Sequence, residues 1–407
     1  MSMNWHPTPL RLPPLWLLVL ITLSGTMGMH IFVPALPVAT TELHASIGQM
    51  QWTISLYILG LAAGQLVYGP LSDALGRRPL LLLGLALYTL AGLVAALAPD
   101  VHALIAARLL QALGGCAGLV LGRAIVRDTT QADKAVRQLA LMNLMMMVGP
   151  GLAPVAGGLI SSSFGWRPVF WVLTAVGALT LALTWQLLPE TGKPNGRLSA
   201  GILAADYRKL LGSPRFVGFA IGGGCATTAF YAFLATAPYI FATQLHRPLH
   251  DVGIYLGLLM GGMALGNALT GRLIRTVKLE RLLLSGNAVS VASAALLLGV
   301  LLSGHLSVAA VLGCMFVFTC GAGMTSPAAL TKAVSVDPHR VGSAAGLYGF
   351  TQMLVGAICT SLAALGANPS VSAISVLLCA AALGQGAFWL ALSTGRGGAS
   401  PGPATGA

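Results

Sequence analysis

Long apolar runs set the strongest limit on how this chain folds. Of its 407 residues, 56% are hydrophobic and only 8% are charged, whereas soluble domains carry about 25% charged residues. A soluble fold would need a polar surface that this sequence does not supply, so the surplus apolar surface must face lipid. Because one helical span takes about 20 apolar residues, the chain has room for about a dozen spans and little else.

The positions of these runs predict an all-α membrane protein with twelve transmembrane helices in two pseudo-symmetric bundles of six. The predicted spans are residues 15–38, 48–71, 79–98, 102–123, 138–162, 167–188, 216–243, 251–274, 280–302, 305–331, 340–366 and 371–393. The N-terminal bundle takes residues 1–188, a polar linker 189–215 and the C-terminal bundle 216–394. The Gly-, Ala- and Pro-rich tail at 395–407 is predicted to be disordered.

The basic residues give the predicted spans a direction. With the N-terminus in the cytoplasm, only three of the 22 Lys and Arg residues lie off the cytoplasmic side: Arg167 and Arg247 outside, and Arg108 within a span. This asymmetry follows the positive-inside rule. It predicts a multi-pass protein of the bacterial cytoplasmic (inner) membrane with both termini and the linker in the cytoplasm. It also explains the net charge of +12 as topology, with anionic membrane lipid and not nucleic acid as the partner.

The two halves of the chain weakly repeat each other. The first span contains FVPALP (32–37), with Pro34, and the seventh contains FLATAP (233–238), with Pro238. Six-plus-six helices with internal similarity are typical of transporters built from repeats, whose binding site lies near the membrane midplane between the halves.

The stretch from Tyr68 to Gly84, YGPLSDALGRRPLLLLG, concentrates charge in a chain that has little. The residues of interest are two glycines and three charged residues: Gly69, Asp73, Gly76, Arg77 and Arg78. The glycines are expected to permit a tight turn and close backbone approach, and the acid to interact with a helix N-terminus. Plain positive-inside anchoring would explain the two arginines, but not the acid or the glycines.

Arg108 is the one basic residue that falls inside a predicted span. A charge at such a depth costs roughly 2.5–3.5 kcal/mol on insertion scales and usually marks a functional position. One interpretation is a buried arginine satisfied by carbonyl groups of the first and second helices. The other is a participant in proton or substrate coupling.

Further segments point to one family. Residues 108–128 read RLLQALGGCAGLVLGRAIVRD and residues 149–158 read GPGLAPVAGG. Shorter matches are PALP (34–37), WRPVFW (166–171), LPET (188–191), SPRF (213–216), TAPYIF (236–241) and GSAAGL (342–347). Together with the Tyr68–Gly84 stretch, they resemble the major facilitator superfamily, and within it the Bcr/CflA subfamily of bicyclomycin and chloramphenicol exporters. The N-terminal half carries the resemblance more strongly than the C-terminal half.

The resemblance implies a role for the charged loop. Asp73 would lie near the start of the eleventh helix, around Val341 to Ala345, and Arg77 would reach Asp128 at the end of the fourth. These contacts would close the cytoplasmic side in the outward-facing state and break when it opens. The implied conformational latch consists of Gly69, Asp73, Gly76, Arg77, Arg78, Arg127 and Asp128.

The fifth predicted span resembles the family's antiporter motif, with Ala153 in place of a usual glycine. The motif residues are Gly149, Pro150, Pro154, Gly157 and Gly158. Glycines allow a neighbouring helix to approach closely and prolines kink a helix. The resemblance implies exchange transport without leak, whereas ordinary membrane-helix packing uses the same residue types.

The subfamily has an Asp four residues before the first Pro of the PALP-like segment, where this chain has His30. No Asp or Glu falls well inside a predicted span. A proton-coupled exporter needs a group that titrates near neutral pH, and histidine is such a group. With the family position, this predicts proton coupling through His30 and Arg108. The alternative is a neutral, hydrogen-bonded histidine.

The candidate substrate residues are polar, aromatic or flexible side chains at mid-span. They are Tyr57, Gln111, Asn143, Met146, Tyr231, Tyr255 and Gln352. Met146 and its two methionine neighbours would give a deformable apolar wall. Each of these residues could instead serve packing alone. A cavity without buried acids favours neutral or weakly anionic amphiphiles.

The sequence lacks the motifs that would indicate other classes of function. GxSxG, HExxH and Walker motifs are absent, so neither an enzyme nor an ATP-driven pump is expected, and neither a cofactor nor a metal. The six cysteines lie in apolar runs without CxxC spacing and are expected to be packing residues. A channel or receptor would fit the number of spans but not the repeats.

The sequence therefore predicts a monomeric multidrug efflux transporter that exports small amphiphilic drugs, such as amphenicol- or bicyclomycin-like molecules, by proton antiport. Two alternatives stay open. One is an exporter of an endogenous metabolite such as an amino acid, nucleoside or siderophore. The other is a facilitator without proton coupling.

Overall fold

The computed structural model describes residues 13–129, 132–192, 200–337, 340–366 and 368–394. All regular structure within these ranges is helical, which confirms the predicted all-α fold class. The first half contains α1 (Leu15–His30), a 3-10 turn (Val33–Ala35), α2 (Leu36–Glu42), α3 (Ile47–Leu75), α4 (Arg77–Ala96), α5 (Val101–Thr129), α6 (Ala132–Phe164) and α7 (Arg167–Leu187).

The second half begins with a linker helix, α8 (Ala200–Leu211). It continues with α9 (Pro214–Thr227), α10 (Phe230–Tyr239), a π turn (Ile240–Gln244), α11 (Leu249–Leu273), α12 (Leu279–Leu302), α13 (Val308–Val334), α14 (Val341–Ala364) and α15 (Pro369–Ser393). The tail predicted to be disordered, 395–407, lies outside the described residues, as do the side chains of Arg127, Asn143 and Met146.

Eleven helical segments in the described ranges are long and apolar enough to cross a membrane. They coincide with eleven of the twelve predicted spans. The remaining prediction, 138–162, falls within the 33 residues of α6. The division into bundles at 1–188 and 216–394 stays a prediction.

Two predicted spans are interrupted near their middle. In the first, α1 ends at His30 and α2 continues only after the 3-10 turn, because Pro34 and Pro37 have no N–H to donate to a helical ladder. In the seventh, α9 ends at Thr227 and α10 begins at Phe230. Lipid tolerates irregular backbone only where protein covers it, so both breaks must lie inside the molecule.

The linker contains a helix, which its polar composition did not suggest. α8 forms within it, and Leu210 and Tyr207 pack with Phe216 and Leu347 in an apolar cluster. Positions 207 and 210 lie on one side of a helix because they are three residues apart. The five basic residues of the linker hid this short apolar side.

The spans alternate in direction, and α3 runs antiparallel to α14. A Cβ atom on Gly48, at the start of α3, would lie 3.0 Å from the carbonyl oxygen of Ala364, at the end of α14. One end of the molecule carries Asp73, Arg77 and Asp128, and we call it the basic end. The opposite end, the far end, carries the ion pair between Arg167 and Glu42.

Close backbone contacts hold α5 at the centre of the first half. A Cβ atom on Gly25 of α1 would lie 2.6 Å from the carbonyl oxygen of Gly115, and one on Gly60 of α3 would lie 2.9 Å from that of Leu109. Small residues at these crossings let the backbones approach, which is how helices gain packing energy in lipid.

We expect Gly115→Val to destabilise the protein because the new side chain must displace backbone of α1. Overpacking of this kind costs about 1–3 kcal/mol. Gly299→Val is the matched control, since a Cβ atom there meets nothing described within 4 Å. Thermal unfolding of the purified proteins in detergent, followed by tryptophan fluorescence, should show a lower midpoint only for Gly115→Val. Equal midpoints would contradict the packing role of this crossing.

Candidate functional site

A charged cluster at the basic end centres on Arg77. Its Nη1 lies 2.6 Å from Oδ1 of Asp73 and its Nε donates to Oδ2 of Asp128 at 3.0 Å. The same Nη1 also donates to Oγ of Ser72. The expected contact between Arg77 and Asp128 is therefore present, and it ties the start of α4 to the end of α5. The Arg77 side chain is 10% exposed whereas that of Asp73 is 59% exposed.

Glu190 completes this cluster and was not among the predicted site residues. Its carboxylate accepts hydrogen bonds from the backbone N–H groups of Arg77 at 2.9 Å and Arg78 at 3.2 Å. It thereby caps the start of α4, where the helix dipole favours an anion. Nη2 of Arg78 also donates to the carbonyl oxygen of Trp185 at 2.8 Å. The LPET segment marked Glu190 only as part of a resemblance, since no spacing connects it to residue 77.

The expected loop is much shorter than its sequence suggested. α3 continues to Leu75 and α4 begins at Arg77, which leaves Gly76 alone between them. Gly76 has a φ of +100°, and a Cβ atom there would lie 2.6 Å from Oε2 of Glu190. The expectation was wrong for Gly69, which lies inside α3, where a Cβ atom would meet no described atom within 4 Å.

The register of α3 on α14 places Asp73 level with the start of α14. The side chain of Gln65 lies against Gly349 and Gly48 lies against Ala364, and continuing this antiparallel pairing brings residue 73 opposite Val341. The described ion pair of Asp73 is nevertheless with Arg77. The carboxylate that bonds the first turn of α14 is Asp206 of α8, which accepts from Oγ of Ser343 at 3.0 Å.

Asp206 also joins the linker to Arg340, whose Nε donates to it at 2.6 Å. This hydrogen bond is the main reason that the pKa of Asp206 lies below its usual value. A lowered pKa means that the contact is fully formed at neutral pH and weakens as the pH falls through that lowered value. The Oδ2 atom of Asp337 lies 2.5 Å from Nη1 of Arg340.

We expect Gly76→Ala to weaken the basic-end cluster, because alanine is strained at a φ of +100° and its methyl group would press on Glu190. The backbone of Gly76, with φ +100° and ψ 156°, lies in a region that is almost exclusive to glycine and costs other residues about 1–3 kcal/mol. The control is Gly69→Ala, in a helical and open position. Transport and thermal stability should fall in the first variant and stay near wild type in the second. The interpretation fails if both variants behave alike.

Arg108 is fully buried in the first half. Its Nη1 donates to the carbonyl oxygen of Gly28 at 2.7 Å and to Oε1 of Gln111 at 2.8 Å. Its guanidinium carbon lies 4.0 Å from the ring centroid of Tyr57, a cation–π geometry. Nε and Nη2 of Arg108 have no hydrogen-bond partner among the described residues. The expected carbonyl contact with the first helix is present, and aromatic faces supply much of the remaining surroundings.

His30 is the last residue of α1 and is buried. Its Nδ1 lies 2.9 Å from the carbonyl oxygen of Thr26. Because a carbonyl only accepts, Nδ1 carries a hydrogen, and Nε2 is the nitrogen left to bind a further proton. The ring meets Tyr231 of α10 edge-on, with centroids 6.4 Å apart. His30 therefore lies between the two halves, at the place where both interrupted spans break.

The predicted substrate residues fall into separate groups. Tyr57 and Gln111 surround Arg108 and are fully buried. Tyr231 lies beside His30, and Gln352 donates from Nε2 to Oγ1 of Thr227 at 2.7 Å. These two lie near the break of the seventh span. Tyr255 packs instead on Phe241, with ring centroids 5.0 Å apart. The predictions for Asn143 and Met146 concern side chains outside the described part.

The antiporter-motif residues of α6 contact helices of both halves. A Cβ atom on Gly157 would overlap the carbonyl oxygen of Ile31, directly after α1, and one on Gly149 would lie 2.6 Å from Cδ2 of Leu23. A Cβ atom on Gly158 would lie 2.8 Å from the carbonyl oxygen of Leu249, in α11. The helix continues through Pro150 and Pro154. The motif therefore packs α6 tightly between α1 and α11.

Comparison with known proteins identifies the family. The profile of the Major Facilitator Superfamily matches residues 18–360, and the chain belongs to this superfamily. It is 30% identical to the "Uncharacterized MFS-type transporter YdgK" of Bacillus subtilis, over 93% of this chain and 95% of that protein. It is 29% identical to "Multidrug resistance protein D" of Escherichia coli, with the same coverage.

A third relative carries the name that the sequence motifs suggested. The chain is 28% identical to the "Bicyclomycin resistance protein homolog" of Haemophilus influenzae, over 85% of this chain and 87% of that protein. Among solved structures, a D-xylose–proton symporter superposes with a TM-score of 0.75 at 14% identity, covering 92% of this chain and 96% of the symporter. That similarity confirms the fold. The chain is thus a multi-pass membrane protein of a transporter family.

Proposed function

We propose that this chain exports small amphiphilic drugs from the bacterial cytoplasm in exchange for protons. The observation that carries the proposal is the position of His30, a titratable group at the contact between the two halves. Every Asp and Glu of the spanning helices lies within three residues of a helix end. Support for drug export comes from the relatives whose names refer to multidrug and bicyclomycin resistance.

The transport cycle that we propose is alternating access between two six-helix bundles. The basic end faces the cytoplasm, in agreement with the positive-inside distribution, and both termini lie on that side of the inner membrane. The two bundles rock against each other about a site near the midplane. The pairing of α6 with α11 and of α3 with α14 supports this arrangement, because these helices form the contact between the halves.

Proton exchange is assigned to His30 with help from Arg108. Nε2 of His30 takes up a proton when the far end opens to the outside. It releases the proton when the basic end opens to the cytoplasm. Arg108 bonds the carbonyl oxygen of Gly28, which lies two residues before His30 in the same helix. We propose that this bond connects the guanidinium to movements of the end of α1 when His30 takes up or releases its proton.

The cargo site is assigned to the residues around the two helix breaks. Tyr231 and Gln352 offer an aromatic face and an amide, and Arg108, buried elsewhere in the first half, has no described carboxylate partner. Such surroundings suit neutral or weakly anionic amphiphiles of the amphenicol or bicyclomycin type. An endogenous metabolite of similar chemistry would meet the same groups.

A second function has an observation in its favour. The lack of a carboxylate in the middle of any described span is what a facilitator without proton coupling would show. In that case His30 would serve only as a hydrogen-bonded end to α1. The two functions differ in their response to a pH gradient.

We expect His30→Ala to abolish pH-driven uptake of a fluorescent drug into inverted membrane vesicles, in which an exporter pumps inward, because no Asp, Glu or other His lies in the middle of a described span. Binding of the same drug, measured by fluorescence polarisation, should remain detectable. His305→Ala is the control, since His305 is exposed beyond the end of α12. Efflux by the wild-type protein should also collapse when a protonophore is added.

Two results would decide against this assignment. Proton-driven efflux retained in His30→Ala would remove His30 from the coupling. Wild-type efflux that ignores the protonophore would instead favour the facilitator.

The latch at the basic end has its own test. Asp73→Asn removes the charge that Arg77 holds at 2.6 Å, so we expect slower transport and a changed ratio of inward- to outward-facing molecules. Exposed ion pairs contribute only about 0.2–1 kcal/mol, so the shift in this ratio should be severalfold at most. Spin-label distances across the basic end would measure the ratio. Unchanged transport and unchanged distances would show that the cluster is not a latch.

A further inference from the structure

Two hydrogen bonds join the halves of the chain at the far end. Nε2 of Gln51, near the start of α3, donates to Oγ1 of Thr236 in α10 at 2.8 Å. The hydroxyl groups of Tyr239 in α10 and Thr40 in α2 lie 2.7 Å apart. Both bonds connect residues nearly two hundred positions apart in sequence. They therefore hold the two halves together and do not merely stabilise one helix.

The direction of both hydrogen bonds is fixed by the helices that carry the threonines. Oγ1 of Thr236 donates its only hydrogen to the carbonyl oxygen of Ala232 at 3.1 Å. Oγ1 of Thr40 likewise donates to the carbonyl oxygen of Leu36 at 2.7 Å. Each threonine thus has only lone pairs left for its partner across the contact. Gln51 and Tyr239 must be the donors.

Gln51 and Tyr239 have little access to water as an alternative acceptor while the halves are in contact. Gln51 is 1% exposed, Thr236 is fully buried and Tyr239 is 6% exposed. A buried donor that loses its acceptor keeps its full desolvation penalty, whereas the same donor in water finds a new partner. Separation of the halves at this end would admit that water. The two bonds therefore favour contact without preventing separation.

We propose that Thr40, Gln51, Thr236 and Tyr239 form a gate at the far end, which holds that side shut while the basic end is open. The gate consists of two donor–acceptor pairs whose acceptors are oriented by their own helices. The inference rests on the alternating access proposed above, but it names residues that take no part in binding cargo or protons. It assigns a specific role to the segment after the break in the seventh span.

The gate can be measured without any cargo. Nitroxide labels at Thr41→Cys and Gln244→Cys occupy exposed positions beside the gate on the two halves. They are placed in a chain whose six free cysteines are replaced by serine. Pulsed electron paramagnetic resonance in lipid nanodiscs then gives the distance between the halves at the far end. With the native gate, we expect a main population at short distance and a minor one at longer distance.

Thr236→Val keeps the shape of the side chain and removes the acceptor for Gln51. We expect the longer-distance population to grow about fivefold, the change that one buried hydrogen bond produces. Thr22→Val is the matched control, since Thr22 is also a fully buried threonine bonded to its own helix, through Leu18, and makes no described bond to the other half. Tyr239→Phe should shift the population in the same direction.

A double variant separates a gate from general loss of stability. In Gln51→Leu with Thr236→Val, both partners become apolar and no donor is left unpaired, so the short distance should be largely restored. The gate is refuted if Thr236→Val leaves the distances unchanged, if Thr22→Val shifts them equally, or if the double variant opens further than either single one. Failure of proton-driven efflux with a responsive gate would overturn the proposed coupling but leave the gate standing.

Discussion

The need to satisfy every backbone polar group inside a lipid bilayer governs this structure. Helices meet that need on their own, which is why the described regular structure is helical throughout. Irregular backbone is affordable only where protein encloses it, and the chain concentrates it at two places, after His30 and after Thr227. Both breaks face the contact between the halves. His30 and Tyr231, the side chains that we assign to transport, therefore lie where the backbone leaves the regular helix.

Close approach of helices is the second constraint, and glycine provides it in different ways. At Gly25 and Gly115 small residues let two helices of one half cross tightly, whereas at Gly158 they bring together helices of different halves. In the transport cycle that we propose, packing within a half persists, while packing between the halves is broken and remade. The same residue type thus serves rigidity in one place and reversible contact in the other.

Much of the fold could be predicted from the sequence, because lipid burial leaves a simple signal of apolar runs. Eleven of the predicted spans coincide with helices long enough to cross a membrane. The contact of Arg77 with Asp128 followed from the family resemblance. Glu190 could not be predicted from spacing, since its partners lie 113 and 112 residues earlier in the sequence. The linker helix was missed because its basic residues concealed a short apolar side.

The charge distribution raises a problem that bears on how such a protein could couple to protons. A wholly buried guanidinium is held by a carbonyl oxygen, an amide oxygen and the face of Tyr57, none of which carries a full negative charge. An acid at the position of His30, as the family resemblance implies, would supply such a charge. With histidine there, protonation would add a second buried positive charge to the first half, and no carboxylate lies in the middle of a described span to offset it. Under the proposed function, anionic or electron-rich cargo would offset that excess of positive charge. Coupling of drug to proton would then depend on a histidine and on the charge of the cargo, and not on the exchange of a proton at a carboxylate.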